Sequence, residues 1–404
     1  MVDKTYDVVI IGAGPGGSAA AYYLARRGLD VLLLDKADFP RDKTCGDGLT
    51  PRAVSVLKDM GLLDELLQVG HLTPALEIVA PMGHSVAFGI PKVGDWPGFS
   101  LVVPRLILDD LLLQKAISAG ATFQGGTRVF QAQPAPDGVT VRGTRKDGPV
   151  EVRARAAIVA TGASPTLLIE MGILKKVPDM MVASRAYFED VRGLKDEVYL
   201  TFQGIPLPGY GWIFPVSETS ANIGAGLVRR GWTNRWRKET SAQAFQSFLA
   251  TPTLKTMLEH ARQVGPVKGY PLRMDFAESP TYGERTLLVG EAAGLVNPLT
   301  GEGIDYALES GHMAAAHLAA MFESGDFSSA RFAEYDALLR ERFQRLFVFC
   351  TRVREICVNP LLLNPLVAVA NYRPALRLRL VHAVLGLRGS PLETTNSPVV
   401  ETGG

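Results

Sequence analysis

Gly12, Gly14 and Gly17 stand in G-x-G-x-x-G spacing directly after the β-branched run VVII at residues 8–11. That order suits a pyrophosphate. Gly12 permits the tight strand-to-helix turn, Gly14 lets a phosphate approach the backbone, and Gly17 lets the helix pack on the strand. Pro15 and Gly16 open the helix, whose free N–H groups and positive dipole end face the ligand. A second apolar run, residues 31–34, ends in Asp35 followed by Lys36. A carboxylate there takes a ribose hydroxyl pair. Glycines alone also make structural turns. Strand, glycines, helix, strand and terminal acid in this order instead predict dinucleotide binding.

Residues 284–311, ERTLLVGEAAGLVNPLTGEGIDYALESG, repeat the logic. An apolar strand leads to Glu291, which is suited to a polyol chain. Gly301 and Gly303 then precede a helix opening at Ile304, and their N–H groups and dipole suit an electron-accepting ring. Elsewhere Tyr210, Trp212 and Phe214 alternate in a Pro/Gly-rich segment, where aromatics line a pocket more readily than a core. The loop KTCGDG carries Cys45 and Gly46. Its thiol is either a proton donor or a loop thiol tuned by nearby N–H groups. Arg41 and Lys43 either meet phosphate or ribose or are solvated charges, and Arg105 either faces the ligand or caps its helix.

The elements that must position these residues predict an α/β fold. A Rossmann-like FAD-binding domain is expected from residues 1–70, 100–175 and 280–325. Residues 71–99 and 176–279 form an inserted, mainly antiparallel β-sheet substrate domain. Residues 326–390 form a C-terminal helical region, and 391–404 a disordered tail. Thr50 and Pro51 open a helix, and residues 241–262 read as helical. The apolar run ending Ala160-Thr161-Gly162 returns to the central parallel sheet. Cys350 and Cys357, seven apart, share a helix face as core thiols. Residues 359–388 mix apolar side chains with Arg373, Arg377, Arg379 and Arg388. That pattern fits either an anionic membrane surface or a domain helix with snorkelling arginines.

Length and balance exclude other classes. At 404 residues the chain supports several cores, and a formal net charge of +1 argues against a nucleic-acid partner. Three cysteines make no disulfide framework, which points to a reducing, cytoplasmic compartment. The chain runs from MVDKT straight into the first strand, so no signal peptide is expected. No apolar run reaches the ~18 residues of a membrane span. The histidines are scattered and no metal-ligand cluster stands out.

Three stretches together, GAGPGG with Asp35, PGYGWIFP, and GEAAGLVNPLTGEGIDYALESG, resemble the geranylgeranyl reductase family. This family lies within the flavoprotein class typified by para-hydroxybenzoate hydroxylase. The resemblance spans residues 6–325, and the KTCGDG loop is similar to that family's cysteine-glycine loop. It implies FAD, an external donor such as NADPH or reduced ferredoxin, and saturation of isoprenoid double bonds on a prenyl-lipid substrate. By motif, Gly12, Gly14, Gly17 and Asp35 hold the ADP half, with Pro15, Gly16, Lys36 and Arg41 beside them. Arg105 holds the pyrophosphate region and Val129 flanks the adenine. Glu291 meets the ribitol, Gly301, Gly303 and Ile304 face the isoalloxazine, and Ala160, Gly162, Cys45 and Gly46 lie near the flavin. Tyr210, Trp212 and Phe214 line the lipid cavity, and Cys45, Tyr210 and Trp212 are the catalytic candidates.

Two departures stand out. The family usually has Asp where this chain has Glu291, and related hydroxylases have Ala-Asp-Gly where it has Ala160-Thr161-Gly162. Two other readings remain at this level: a flavin-dependent monooxygenase or halogenase, and a non-catalytic prenyl-lipid binding protein. The protein's place at a membrane surface and its oligomeric state stay open.

Overall fold

The computed structural model describes residues 4–228 and 239–386. The strand Thr5–Ile11 lies at the heart of a sheet because Val8, Val9 and Ile10 are fully buried and Ile11 nearly so. A strand buried on both faces reads as an unbroken apolar run. It pairs in parallel with Val31–Leu34 on one side and Gly148–Val159 on the other, and Thr286–Leu288 adds in parallel beyond the latter. Thr122–Gln124 and Tyr282–Gly283 close the two edges. The strands Arg128–Ala135 and Gly138–Arg145 hang antiparallel on the near half of Gly148–Val159. The Asp137-Gly138 and Asp147-Gly148 turns fall between these strands, as their composition predicts.

The helix Pro15–Ala25 covers this sheet and packs on the long helix Ile304–Ser324. Their crossing is close. A Cβ on Gly311 would stand 2.4 Å from the Gly16 carbonyl oxygen, and one on Gly16 would stand 3.1 Å from that of Ala307. Two residues without side chains therefore bring together helices that start almost three hundred residues apart.

The second sheet has seven strands, in the order Arg262–Arg273, Met180–Glu189, Ala221–Val228, Tyr210–Pro215, Glu197–Thr201, Ala75–Val79 and Ser85–Gly89. Its pairs are antiparallel except for the parallel match of Glu197–Thr201 with Ala75–Val79. Alternation splits its faces. Ile213 packs with Phe245 and Phe248 of the helix Ser241–Leu249 on one face, while Trp212 and Phe214 join Ala183 on the other. A third, three-stranded sheet joins Gly48–Leu49, Ser100–Val102 and His71–Thr73.

The expected helix over 241–262 is corrected. Two short helices, Ser241–Leu249 and Pro252–Met257, form instead, and Arg262 already opens a strand. Proline has no N–H to continue a helix but suits a first turn, so Pro252 starts a new one. The basic, apolar region divides in the same way into Pro360–Ala370 and Pro374–Val384. Leu363, Val367 and Val381 pack there on Leu76, Ile78 and Phe88 of the second sheet. Thr50 caps the helix Pro51–Asp59 by accepting from the Ala53 N–H, as expected. Cys350 is fully buried. The side chain of Cys357, Arg388 and the tail expected at 391–404 lie outside the described residues.

Candidate functional site

Both glycine-bearing junctions open onto one cavity of about 640 Å³. Its walls combine Gly12, Gly14, Pro15 and Gly16 of the first junction with Glu291, Gly301, Gly303 and Ile304 of the second. Asp35, Lys36, Arg41, Arg105, Val129, Ala160 and Gly162 line it too, as do Cys45, Gly46, Tyr210, Trp212 and Phe214. Gly17 alone of the sequence-derived residues does not. A Cβ there would lie 1.8 Å from the Gly12 carbonyl oxygen, so Gly17 seats the helix on the turn. Gly12 itself has φ +110°, and a Cβ on it would strike the Ala160 carbonyl oxygen at 2.3 Å. No other residue fits this turn.

Asp35 reaches back to the loop. Its Oδ2 accepts the Ala13 N–H at 2.8 Å and its Oδ1 the Ala37 N–H at 2.9 Å. The carboxylate thereby fixes the glycine turn and keeps lone pairs at the cavity wall. Two arginines share Asp109. Arg105 is committed to it, with Nε and Nη2 each 2.6 Å from one carboxylate oxygen. Burial opposes its charge, but Asp109 and the Cys45 sulfur raise its pKa above the usual value. Arg41 Nη1 forms an ion pair with Asp109 Oδ2 at 2.9 Å but, among the described residues, makes no hydrogen bond. Its Nη2 lies 3.8 Å from where a Gly14 Cβ would stand. A guanidinium held by an acid on one side, with its Nη2 beside a glycine turn and a helix N-terminus, suits a pyrophosphate.

At the second junction, Glu291 Oε1 accepts the Arg273 N–H at 3.1 Å, and Oε2 lies 3.4 Å from a Cβ position on Gly162. Burial raises the pKa of Glu291, with Lys43 opposing. The longer acid is thus anchored by one oxygen and faces the Ala160–Gly162 turn with the other. The cavity, the side-chain-free turns and the Arg41 guanidinium fit FAD.

Tyr210, Trp212 and Phe214 stand on one face of their strand, with successive ring centroids 6.2 and 6.3 Å apart. Gly224 on the next strand makes room: its Cβ would fall 2.1 Å from the Trp212 ring. Tyr210 Oη donates to the Thr300 carbonyl oxygen. Trp212 Nε1 donates to Asn222 Oδ1 at 3.0 Å. Asn222 Nδ2 in turn donates to the Cys45 carbonyl oxygen at 2.8 Å and to Asp47 Oδ2 at 2.7 Å. Tyr187 Oη donates to the same Asp47 oxygen at 2.6 Å. The Trp212 N–H and the Tyr210 hydroxyl are therefore both engaged by protein.

Asp47, at φ +68°, is the hub of the cysteine loop. Burial pushes its pKa up to about 6 despite hydrogen bonds from Tyr187 and Asn222. Burial also raises the Cys45 thiol, with Arg105 opposing, and raises Tyr210. Neither group is a ready acid in this site. Sequence reasoning missed Asp47, Asn222, Asp109 and Glu302. The Arg105–Asp109 spacing of four was a readable signal, and Glu302 stands between two glycines singled out for their backbone. Nothing local marks Asn222 as the partner of a loop 175 positions away.

Next to the main cavity lies a narrow pocket walled by Leu76, Ile90, Val198, Leu200, Val384 and Leu385. It shares Gly48, Phe214, Thr300 and Glu302 with the larger space.

Comparison with known proteins agrees with this geometry. The FAD binding domain family matches residues 5–349. A menaquinone reductase of Mycobacterium tuberculosis is 36% identical over 372 residues, covering 89% of this chain and 86% of the relative. A digeranylgeranylglycerophospholipid reductase of Methanopyrus kandleri is 31% identical over 373 residues, covering 87% and 90%. Among solved structures, a geranylgeranyl bacteriochlorophyll reductase-like protein of Thermoplasma acidophilum superposes with a TM-score of 0.82 at 24% identity, covering 94% and 96%. Flavin-dependent halogenases share the fold.

Proposed function

This chain belongs to the geranylgeranyl reductase family of FAD-binding oxidoreductases, and we propose that its substrate is a polyprenyl lipid whose carbon–carbon double bonds it saturates. The observation that carries this reading is the junction of two spaces. A cavity fitted to FAD meets an apolar pocket at Phe214, Thr300 and Glu302. An isoprenoid tail offers few polar handles, so rigid aromatic walls and an apolar recess must hold it.

When bound, FAD supplies the hydride that an alkene accepts. The chain's own residues do the rest. Gly12, Gly14 and Arg41 bind the pyrophosphate, and Asp35 a ribose. Glu291 orients the polyol chain, and the helix opening at Ile304 presents its positive end to the ring. Tyr210, Trp212 and Phe214 flatten the prenyl chain and exclude water. Arg105 ties Asp109 to the cysteine loop instead of serving as a free anion ligand. Electrons come from an external donor, NADPH or reduced ferredoxin.

The same reading gives the exposed C-terminal face a role. Leu361 and Tyr372 are 81% and 85% exposed, and Leu378 is half exposed, beside Arg373, Arg377 and Arg379. Leu385, just after these helices, lines the apolar pocket. An anionic membrane surface complements this mixture and would deliver a lipid tail to it. None of the described helices is long and apolar enough to cross a membrane.

The test is mass spectrometry of a prenyl quinone and a digeranylgeranyl lipid after anaerobic incubation with the protein and dithionite. A gain of two hydrogens per double bond is expected. Oxygen uptake coupled to the substrate, or a purified protein that is colourless and takes up no FAD, would replace this reading with a monooxygenase or a lipid-binding protein.

A further inference from the structure

The cavity holds a carboxyl group that none of the assigned roles uses. Glu302 lies between Gly301 and Gly303, and its side chain lines both the cavity and the apolar pocket. Its backbone is fixed: the Glu302 carbonyl accepts the Asn297 N–H at 2.7 Å. Among the described residues its carboxyl oxygens receive no hydrogen bond. Oε1 lies 3.7 Å from a Cβ position on Gly48, against the cysteine loop. Glu302 is half-buried and stands at the wall where the two spaces meet, with no protein group spent on its carboxyl.

We propose that Glu302, in its neutral form, is the proton donor to the prenyl double bond. The inference rests on the reductase reading above. Saturation adds a hydride to one alkene carbon and a proton to the other. The hydride, with its electron pair, would come from the reduced cofactor held by Gly12, Gly14 and Glu291. The Glu302 O–H bond breaks, a C–H bond forms at the second carbon, and the carboxylate left behind is reprotonated from solvent before the next turnover.

The acidities around the site favour this assignment. Burial, with Asp305 adding to it, pushes Glu302 up to about 8. A general acid works best with a pKa near the working pH. Burial makes Cys45 and Tyr210 weaker acids than usual, and Tyr210 already spends its proton on Thr300. The other titratable groups acting on Glu302 are Tyr210 on the aromatic strand and Asp305 in the first turn of the helix that follows it, with Arg52 3.9 Å from Asp305. Among the described residues, Glu302 is the one titratable group lining the apolar pocket.

The test compares wild type with Glu302→Gln and Glu302→Asp. Turnover of the wild type on a prenyl lipid should fall as pH rises through about 8. Glu302→Gln should keep its flavin spectrum and KM, lose about 10²–10⁴-fold in kcat, and lose that alkaline limb. Glu302→Asp should restore part of the rate. Independently of turnover, infrared difference spectra of the protein titrated from pH 6 to 10 should show a carboxylic acid carbonyl component lost near pH 8, apart from that of Asp47 and Asp305 lost near pH 6, and the component near pH 8 should be absent in Glu302→Gln. An active wild type whose limb and infrared band survive in Glu302→Gln overturns the proposal and leaves the reductase reading intact. If Glu302→Gln fails to hold flavin, the infrared titration of flavin-free wild type and Glu302→Asp decides: no carbonyl component lost near pH 8 in the wild type overturns the proposal. A wild type that never saturates the lipid overturns the reading beneath it.

Discussion

Gly311 crosses Gly16 so closely that a methyl group on Gly311 would stand 2.4 Å from the Gly16 carbonyl oxygen. Through this contact, the helix that starts at the first glycine junction is held against the helix that starts at the second. The relative placement of two phosphate- and ring-facing N-termini depends on it. Gly311→Ala should therefore push the helices apart, at a cost of about 1–3 kcal/mol from overpacking. Urea unfolding should show the loss, and FAD titration a weaker affinity. An unchanged flavin affinity would mean that the crossing does not set the site.

Arg41 and Arg105 should separate binding from stability. Arg41 reaches the Gly14 turn with Nη2, so Arg41→Ala should weaken FAD by roughly tenfold, about 1.4 kcal/mol, and, since Asp109 keeps its bidentate partner, cost less stability than Arg105→Ala. Arg105→Ala leaves Asp109 buried without its bidentate partner. Losing one member of a buried pair costs about 3–5 kcal/mol. Equilibrium unfolding beside fluorescence titration of FAD distinguishes the two.

The buried acids predict an unusual pH dependence of stability. Asp47 and Asp305 are raised to about 6 and Glu302 to about 8. A raised folded-state pKa means that the native protein binds these protons more tightly than the unfolded chain. Stability is then fully present near pH 4 and falls as pH rises toward 8. The flavin-free protein should lose stability between about pH 4 and 8, and Glu302→Gln should flatten the upper part of that slope. Denaturant midpoints across the range measure it; a wild-type curve flat above pH 6 would contradict a neutral Glu302.

The C-terminal face should bind lipid through charge as well as apolar contact. Cosedimentation with phosphatidylserine vesicles should exceed that with neutral vesicles and weaken with added salt. Replacing Arg373, Arg377 and Arg379 with Glu should abolish it while leaving the flavin spectrum unchanged. Equal binding to neutral vesicles would remove the electrostatic part of the claim.

The parts of this molecule that were legible in advance are those written in short stretches. Gly12 to Asp35 and Glu291 to Ile304 each carry strand, turn and helix start within about thirty residues, because turn sterics and dipoles act locally. Tyr210, Trp212 and Phe214 were legible through their Pro/Gly-rich setting and the resemblance of PGYGWIFP to the family's motif. What stayed hidden depends on contacts between distant segments. Asn222 reads as a polar residue in an apolar strand until it is seen joining Trp212, Cys45 and Asp47. Arg105 reads as a ligand for phosphate, and its bidentate hold on Asp109 through Nε and Nη2, while it still lines the cavity, could not be seen in the sequence. Glu302 was passed over because its glycine neighbours explained the segment without it. The helix expected over 241–262 failed for a local reason, the restart at Thr251 and Pro252.

A single-turnover experiment tests the whole account most directly. The protein, loaded with FAD, is reduced anaerobically and mixed with a prenyl lipid, and flavin absorbance and lipid mass are followed together. The account predicts that the oxidised flavin band returns in step with the lipid's gain of two hydrogens, one flavin per saturated bond. A flavin that stays reduced until oxygen is admitted, with the lipid mass unchanged or raised by an oxygen atom, would contradict it.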